Sequence, residues 1–350
     1  MKHLRQIIAI FFISLTSTLA YSNPNKSDIL NVYIWGNYMP NEVIQQFTKE
    51  TGIKLNIAEY DNNETMFSKL KALKKSGYDI TVPSSYYVER MAKQGMLHPL
   101  DKSQLTNLHH INPILLNKPF DPKNVYSVPY LWGSTGIIIN TKYINKKKVT
   151  SWQNFWDPEY RDQLMILNDM RDAFSIALLS LGYSINDSNP QHIEKAYLKL
   201  KALLPNIKIF NIDTVPNIYI DEDAIIGVAW SGDYKLAHDE NPALEYVYPK
   251  EGFSTWMESF VILKDAPHVE NAHKFINFIL RPEIAKQISL AIGHSTANKS
   301  AVKLMPITLQ QNSVANPNQE IMKQGEIQRD LDPETRHLYE KYWERLKIGN

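Results

Sequence analysis

From Leu30 onward the apolar positions fall alternately into strand-like and helix-like runs. Leu30 to Trp35 (LNVYIW) has the near-continuous apolar character of a buried strand, and Asn41 to Thr51 follows as a helix ended by Gly52. Lys54 to Tyr60 is a second strand. A helix then opens at Asn63-Glu64, places Met66, Leu70 and Leu73 on one face and closes at Gly77, before a third strand at Tyr78 to Val82. Past Pro129, Trp132 and Gly133 runs the apolar strand Gly136 to Asn140, so a first crossing between domains is placed at Tyr126 to Asn140. The style then repeats. Leu164 to Leu167 is a strand, Ile193, Ala196, Tyr197, Leu200, Leu203 and Leu204 keep helical spacing until Pro205, and Ala224 to Trp230 is a strand ending in a polar turn. A second crossing follows Trp256. Ala272, Phe275, Ile276 and Ile279 form an amphipathic helix, Pro282 starts another with Ile284, Ala285 and Ile288, and Asp332-Pro333-Glu334 opens the last one. Such alternation predicts mostly parallel sheets covered by helices on both faces.

The 350 residues allow two domains or one large one. Lys2 and Arg5 followed by the apolar run Ile7 to Ala20 read as a secretory leader, residues 1–22, cut after Ala20 or after Ser22. The run is shorter than a membrane span needs. Its removal leaves 36 Lys+Arg against 37 Asp+Glu, a balance that offers no broad basic field for nucleic acid. The absence of Cys excludes disulfides, thiolate zinc sites, Cys nucleophiles and a cysteine-linked lipid. The expected product is exported, freely diffusing and monomeric.

In an open α/β sheet, ligands sit beyond the carboxyl ends of the strands. Reading those positions gives Trp35-Gly36-Asn37-Tyr38, Ser84-Ser85-Tyr86-Tyr87, Asp169-Met170-Arg171-Asp172 and Trp230-Ser231-Gly232-Asp233, with Trp256-Met257-Glu258 near the second crossing. Taken singly, a Trp there is ordinary core and an acid an ordinary helix cap: Asp169 suits a helix starting near Arg171, and Asp233 one starting near Tyr234. Recurrence of the same two residue types changes the reading. Carboxylates interleaved with Trp and Tyr suit an organic cation, which the acid binds by charge-assisted hydrogen bonds and the rings attract by their faces. A sugar would prefer more amides. An amino acid would need a cation for its carboxylate, and Arg171 is expected to pair with a flanking acid. The common zinc, nucleotide and esterase motifs are missing. His109-His110 read as a surface pair pointing apart on a strand, Tyr86-Tyr87 leave ferric iron open, and Asp/Glu pairs leave glycan hydrolysis open.

The chain also resembles the periplasmic spermidine/putrescine-binding proteins, the substrate-binding components of polyamine ABC transporters. The resemblance is carried by FTKETGIK (47 to 54), YDITVPSSYYV (78 to 88), NKPFDPKNVYSVPYLWGST (117 to 135), PKEG (249 to 252), WMES (256 to 259), INFILRPEIAKQ (276 to 287) and GEIQRD (325 to 330). It implies an α/β, two-lobed periplasmic binding protein fold (type II-like), each lobe a mostly parallel sheet flanked by helices and joined by crossing strands. Lobe 1 would take 28–136 plus 259–305, and lobe 2 would take 137–258 plus 306–350. It also implies a polyamine ligand, no cofactor or metal, and delivery to an inner-membrane permease with its ATPase. By position, the ligand-holding residues fall on Trp35, Tyr38, Ser84, Tyr86, Asp169, Asp172, Trp230, Trp256, Glu258 and Gln328, with His294 where a Tyr is usual. Asp172 replaces Glu, Glu258 replaces Asp, and Gly36-Asn37 replace a hydroxyl and an acid, so the choice between spermidine and putrescine stays open. His294 is read either as a neutral hydrogen-bond donor or as a group that turns cationic at acid pH.

Overall fold

The computed structural model describes residues 28–73 and 75–348, so the leader read at 1–22 lies outside the described residues. The first half runs β1 (Ile29–Trp35), α1 (Asn41–Thr51), β2 (Lys54–Tyr60), α2 (Asn63–Ala72), β3 (Ile80–Thr81), α3 (Ser85–Lys93), β4 (Leu97–His98) and the long β5 (Ser127–Asn140). It continues with β6 (Leu164–Leu167), α4 (Met170–Ser180), α5 (Pro190–Leu203), β7 (Ile207–Asn211), α6 (Val215–Ile220), β8 (Ile226–Trp230), α7 (Ser231–Glu240) and β9 (Leu244–Val247). Then come β10 (Phe253–Leu263), α8 (Val269–Ile279), α9 (Pro282–Ile292) and β11 (Ser295–Thr296), followed by short helices α10 (Lys299–Val302), α11 (Ile307–Gln310) and α12 (Gln319–Met322), β12 (Gly325–Ile327) and α13 (Pro333–Ile348). Among the described residues no helix is long and apolar enough to cross a membrane.

The strands form one sheet of order β2-β1-β3-β10-β5-β8-β6-β7. At one end β2, β1 and β3 are parallel; at the other, β8, β6 and β7 are parallel. The two blocks meet through β10 and β5, which run antiparallel to each other and belong to both lobes. Each block has its own apolar core. One draws on Leu30 to Trp132 and Met257 to Ala297, the other on Ile137 to Phe253 and Leu331 to Leu346. On α1, Phe47 is fully buried and meets Phe275 and Phe278 of α8 at ring separations of 5.1 and 5.2 Å. Burial of such a side chain contributes about 1.5–3 kcal/mol.

Between the cores the crossing strands turn small and polar. Gly133-Ser134-Thr135-Gly136 faces Ser254, Thr255 and Trp256 across the ladder. Gly133 is required there: a Cβ on it would collide with the Trp256 indole, so its absence lets that ring pack directly against the β5 backbone.

Several expected boundaries shift. The second helix closes at Ala72, where Leu73 turns extended and 43% exposed, so the apolar stripe ends at Leu70 rather than running to Gly77. The third strand keeps only Ile80–Thr81, and Gly136 to Asn140 is the end of β5. His109 and His110 sit in a 3-10 turn with ring centroids 3.9 Å apart; with three residues per turn, neighbours there diverge by about 120° rather than the roughly 180° of a strand, which leaves the two rings within reach of each other.

A polar strap ties α3 to the segment after β12. Glu89 accepts both Nε and Nη2 of Arg329 at 2.8 Å and the Asp330 N–H at 3.1 Å, while Arg90 Nε donates to Asp330 at 2.9 Å. Lys93 reaches Glu89 at 3.1 Å. Burial alone would raise the Glu89 carboxyl, but Arg329, the Asp330 amide and Lys93 outweigh it and hold the group down to about 2. Its contribution to stability is therefore complete above the unfolded value near 4.5 and is lost as pH falls toward 2. Replacing Arg329 by Ala should cost about 1–3 kcal/mol in urea unfolding near pH 7. Replacing Glu89 by Gln should flatten the stability loss between pH 4.5 and 2 relative to the parent.

Candidate functional site

The carboxyl ends of the strands open into one cleft between the lobes, with a volume of about 250 Å³. All eleven residues singled out from the sequence line it: Trp35, Tyr38, Ser84, Tyr86, Asp169, Asp172, Trp230, Trp256, Glu258, His294 and Gln328. Trp35 ends β1 and Tyr38 follows it; Ser84 precedes α3 and Tyr86 lies in its first turn. Asp169 follows β6, Trp230 ends β8, Gln328 follows β12, and His294 occupies the turn between α9 and β11. Gly36 and Asn37 are not among the lining residues; Asn37 takes a left-handed turn at φ 60° and its N–H goes to Glu59.

Glu258 enters at an irregularity in the β10 ladder, which shifts register between Glu258 and Ser259 and re-aims the side chain. One carboxylate oxygen accepts Ser84 Oγ at 2.9 Å, the other Trp35 Nε1 at 3.0 Å. Ser84 is in turn fixed by Asn63, whose Nδ2 donates to its hydroxyl at 2.8 Å and whose Oδ1 accepts its N–H at 3.2 Å. Burial pushes the Glu258 carboxyl up to about 8 despite the two donors that favour its anion.

The second acid centre stands at the start of α4. Asp169 caps that helix, accepting the Asp172 N–H at 2.8 Å. Asp172 accepts Trp230 Nε1 at 2.9 Å and Thr135 Oγ1 at 3.1 Å, with Gln328 Nε2 at 3.5 Å. Burial lifts both carboxyls, and the charge of Asp169 lifts Asp172 further. Arg171 does not pair with a flanking acid as expected. Its guanidinium donates to the carbonyls of Arg329 and Ile185 and to Asn186 Oδ1, and lies 5.6 Å from the centre of the Tyr86 ring.

The aromatic walls adjoin one another at tilted or perpendicular angles. Trp35 lies 6.1 Å from Tyr38, Tyr38 lies 5.6 Å from His294, and His294 stands 81° to Trp256 at 5.2 Å. Burial lowers His294 to about 4, so the ring is neutral at ordinary pH and the acid-cation reading is displaced below it. Its Nδ1 and Trp256 Nε1 are buried without a hydrogen-bond partner among the described residues.

Sequence reading passed over part of this lining. Asp61, Asn62, Asn63 and Glu64 also border the cleft, and they follow β2, so the strand-end rule applied to that strand would have found them. Asp233 belongs to the strand-end pattern and, taken singly, suits a cap for a helix near Tyr234. The helix begins earlier, at Ser231, and Asp233 stands in its first turn, lining the cleft with no cap hydrogen bond.

The ligand chemistries left open fare unequally. Tyr87 donates to Glu64 at 3.2 Å, Tyr86 accepts from Asn63 at 3.3 Å, and burial raises both phenols, which disfavours the phenolate that ferric iron would require. Among the described residues no three His, Asp or Glu converge on a point suited to a metal ion. An amino-acid carboxylate finds Arg171 already committed. What the cleft offers is aromatic faces and carboxylates whose oxygens retain lone pairs for a cation.

Comparison with known proteins agrees with this architecture. The spermidine/putrescine-binding periplasmic protein of Salmonella typhimurium (strain LT2) is 42% identical over 348 residues, covering 99% of each chain. Spermidine/putrescine-binding periplasmic protein 1 of Haemophilus influenzae is 37% identical over all of both chains. A solved structure described as a putative spermidine/putrescine ABC transporter from Listeria monocytogenes superposes with a TM-score of 0.87 at 35% identity, covering 93% of this chain and all of that one. Residues 42–317 match the family described as bacterial extracellular solute-binding protein, and with relatives aligned nearly end to end on the same two-lobed fold, the chain belongs to that family.

Proposed function

We propose that this protein captures a polyamine, spermidine or putrescine, between its lobes and delivers it to an inner-membrane ABC permease powered by an ATPase. The observation that carries the reading is the cleft itself: carboxylates on several strand ends, aromatic rings between them and no Lys or Arg among its described lining residues. Polyamine-binding names on relatives that align over the whole chain support it. In this reading Trp35, Tyr38, Tyr86, Trp230 and Trp256 hold the methylene chain, Asp169, Asp172 and Glu258 meet ammonium groups, and Ser84, Gln328 and His294 add neutral polar contacts. No bond is broken.

The proposed lobes, 28–136 plus 259–305 and 137–258 plus 306–350, close by hinge motion about the crossing strands. The small residues Gly133 to Gly136 are where β5 passes from one core to the other, which supports a pivot there. Export by a leader cut after Ala20 or Ser22, a form without a lipid anchor and a monomeric state complete the proposal. The glycan-hydrolase alternative has less support, since the relatives that align over the whole chain carry polyamine-binding names.

Calorimetry with spermidine should show Glu258→Gln weakening binding by roughly ten-fold or more, the loss of a charge-assisted contact. Unchanged affinity would remove Glu258 from the site. Turnover on glycan substrates should be absent in the same preparations. Polyamine binding should also depend on pH in one direction. Acids raised in the empty cleft must be ionised beside ammonium groups, so affinity falls with pH through the region near 7 to 8 where Asp233 and Glu258 take up protons. The gain in Tm on adding spermidine should therefore be larger near pH 8 than near pH 5.5, and an equal gain at both would contradict ionised acids as the source of affinity.

A further inference from the structure

Arg171 is a charged side chain to which the ligand reading gives no role. It is the second residue of α4, between Asp169 and Asp172, and is only 6% exposed. Its hydrogen bonds go to neutral oxygens, and its Nε is buried without a hydrogen-bond partner among the described residues. A buried cation in the first turn of a helix is opposed twice, by lost hydration and by the positive end of the helix dipole. Such a placement persists only where neighbouring groups compensate it.

Its partners show what it holds. Nη1 donates to the Arg329 carbonyl and Nη2 to Asn186 Oδ1, each at 3.1 Å. Asn186 in turn donates to the Ile327 carbonyl at 2.9 Å and accepts the Arg329 N–H at 2.8 Å, while Ser85 Oγ donates to the Gln328 carbonyl at 3.0 Å. Three successive carbonyls, 327 to 329, are thus held by side chains, and the segment they fix carries Gln328 into the cleft lining. The guanidinium also lies 5.6 Å from the centre of the Tyr86 ring, so it reaches from α4, packed in one apolar core, to a cleft wall that belongs to the other. Its charge offsets part of the rise that burial gives Asp169 and Asp172. The other ionisable groups around this set are Glu64 on α2, Tyr86 on α3, Tyr246 on β9, Glu258 on β10 and Tyr339 on α13, and burial raises all of them, so the phenols stay neutral.

Resting on the polyamine reading above, we propose that Arg171 is a positioning residue of the cleft: its fork ties the Gln328 segment and the Tyr86 wall to α4, and its fixed charge is a partial internal counter-ion for the Asp169 and Asp172 pair. It acts through these groups and does not touch the ligand. The charge is strong enough to favour the two anions and too well screened from the cleft lining to replace an ammonium group there, which leaves the acids available to the polyamine.

The test is calorimetry of the full mature protein with spermidine between pH 6 and pH 8.5, on the parent, Arg171→Lys, Arg171→Met and Arg281→Met, with thermal melts to verify folding. Arg281 pairs with Glu50 at 2.7 Å and does not line the cleft, so its loss removes the same charge elsewhere. Affinity rises with pH as the cleft acids ionise; removing the Arg171 charge raises Asp169 and Asp172 further and moves the midpoint of that rise to higher pH. Arg171→Met should therefore lose roughly ten-fold or more in affinity at pH 6 and clearly less at pH 8.5. Arg171→Lys keeps the charge and loses the fork, so it should hold the parent midpoint while binding a few-fold more weakly throughout. Arg281→Met should follow the parent. An equal loss at every pH in Arg171→Met would mark a merely structural role and overturn the assignment, as would Arg171→Lys with parental affinity or a displaced midpoint. Should Arg171→Met fail to fold, the Lys variant decides by the same criteria. Failure of the parent to bind any polyamine would instead overturn the reading on which the assignment rests.

Discussion

The constraint on which the structure turns is the burial of several carboxylates in one cleft whose described lining contains no Lys or Arg. Moving an anion out of water is opposed by several kcal/mol unless donors or opposite charges replace the water. Here replacement is partial. Ser84 and Trp35 serve Glu258, Thr135 and Trp230 serve Asp172, an α4 backbone amide serves Asp169, and Asp233 has no hydrogen-bond donor among the described residues. The Arg171 guanidinium makes its hydrogen bonds to backbone carbonyls and Asn186 rather than to a carboxylate, and its charge offsets only part of the rise that burial gives Asp169 and Asp172. The raised Glu258, Asp172 and Asp233 carboxyls are the consequence of that arrangement.

The sheet explains how such a site can be assembled at all. Parallel blocks aim their carboxyl ends into the space between the lobes, so short strands such as β3 and β6 each deliver one or two polar side chains at that rim. Antiparallel β5 and β10 hold the blocks in register and place Trp256 and Glu258 at their crossing. Gly133 clears space for Trp256, and Gly232 clears space for His294. The strap of Glu89, Arg90, Arg329 and Asp330 fixes the chain beside Gln328, whose carbonyl accepts Ser85 Oγ at 3.0 Å. Stability is thus concentrated behind the cleft, where charges are paired, and withheld inside it.

Much of this was legible in the sequence because strand ends in an α/β sheet carry ligand-facing residues whatever the ligand, and the Trp and acid recurrence survives in a single chain. What was not legible has physical causes. Asp233 resembles a helix cap until the first turn of α7 is seen to begin at Ser231. Asn63 looks like a helix opener, and only packing reveals that it orients Ser84 and Tyr86. Leu73 fits a helical stripe that the backbone abandons one residue earlier. The single continuous sheet could not be read either, since strand order between distant segments leaves no local periodicity. The direction of Arg171 depends on carbonyls 14 and 158 residues away.

The most direct measurement is the number of protons exchanged when spermidine binds, obtained by calorimetry near pH 7 in buffers of different ionisation enthalpy. Carboxyls that are raised in the empty cleft and ionised beside ammonium groups must give up protons as the ligand enters. The account predicts net proton release that diminishes in Glu258→Gln. Binding with no proton exchange, or with net uptake, would contradict it.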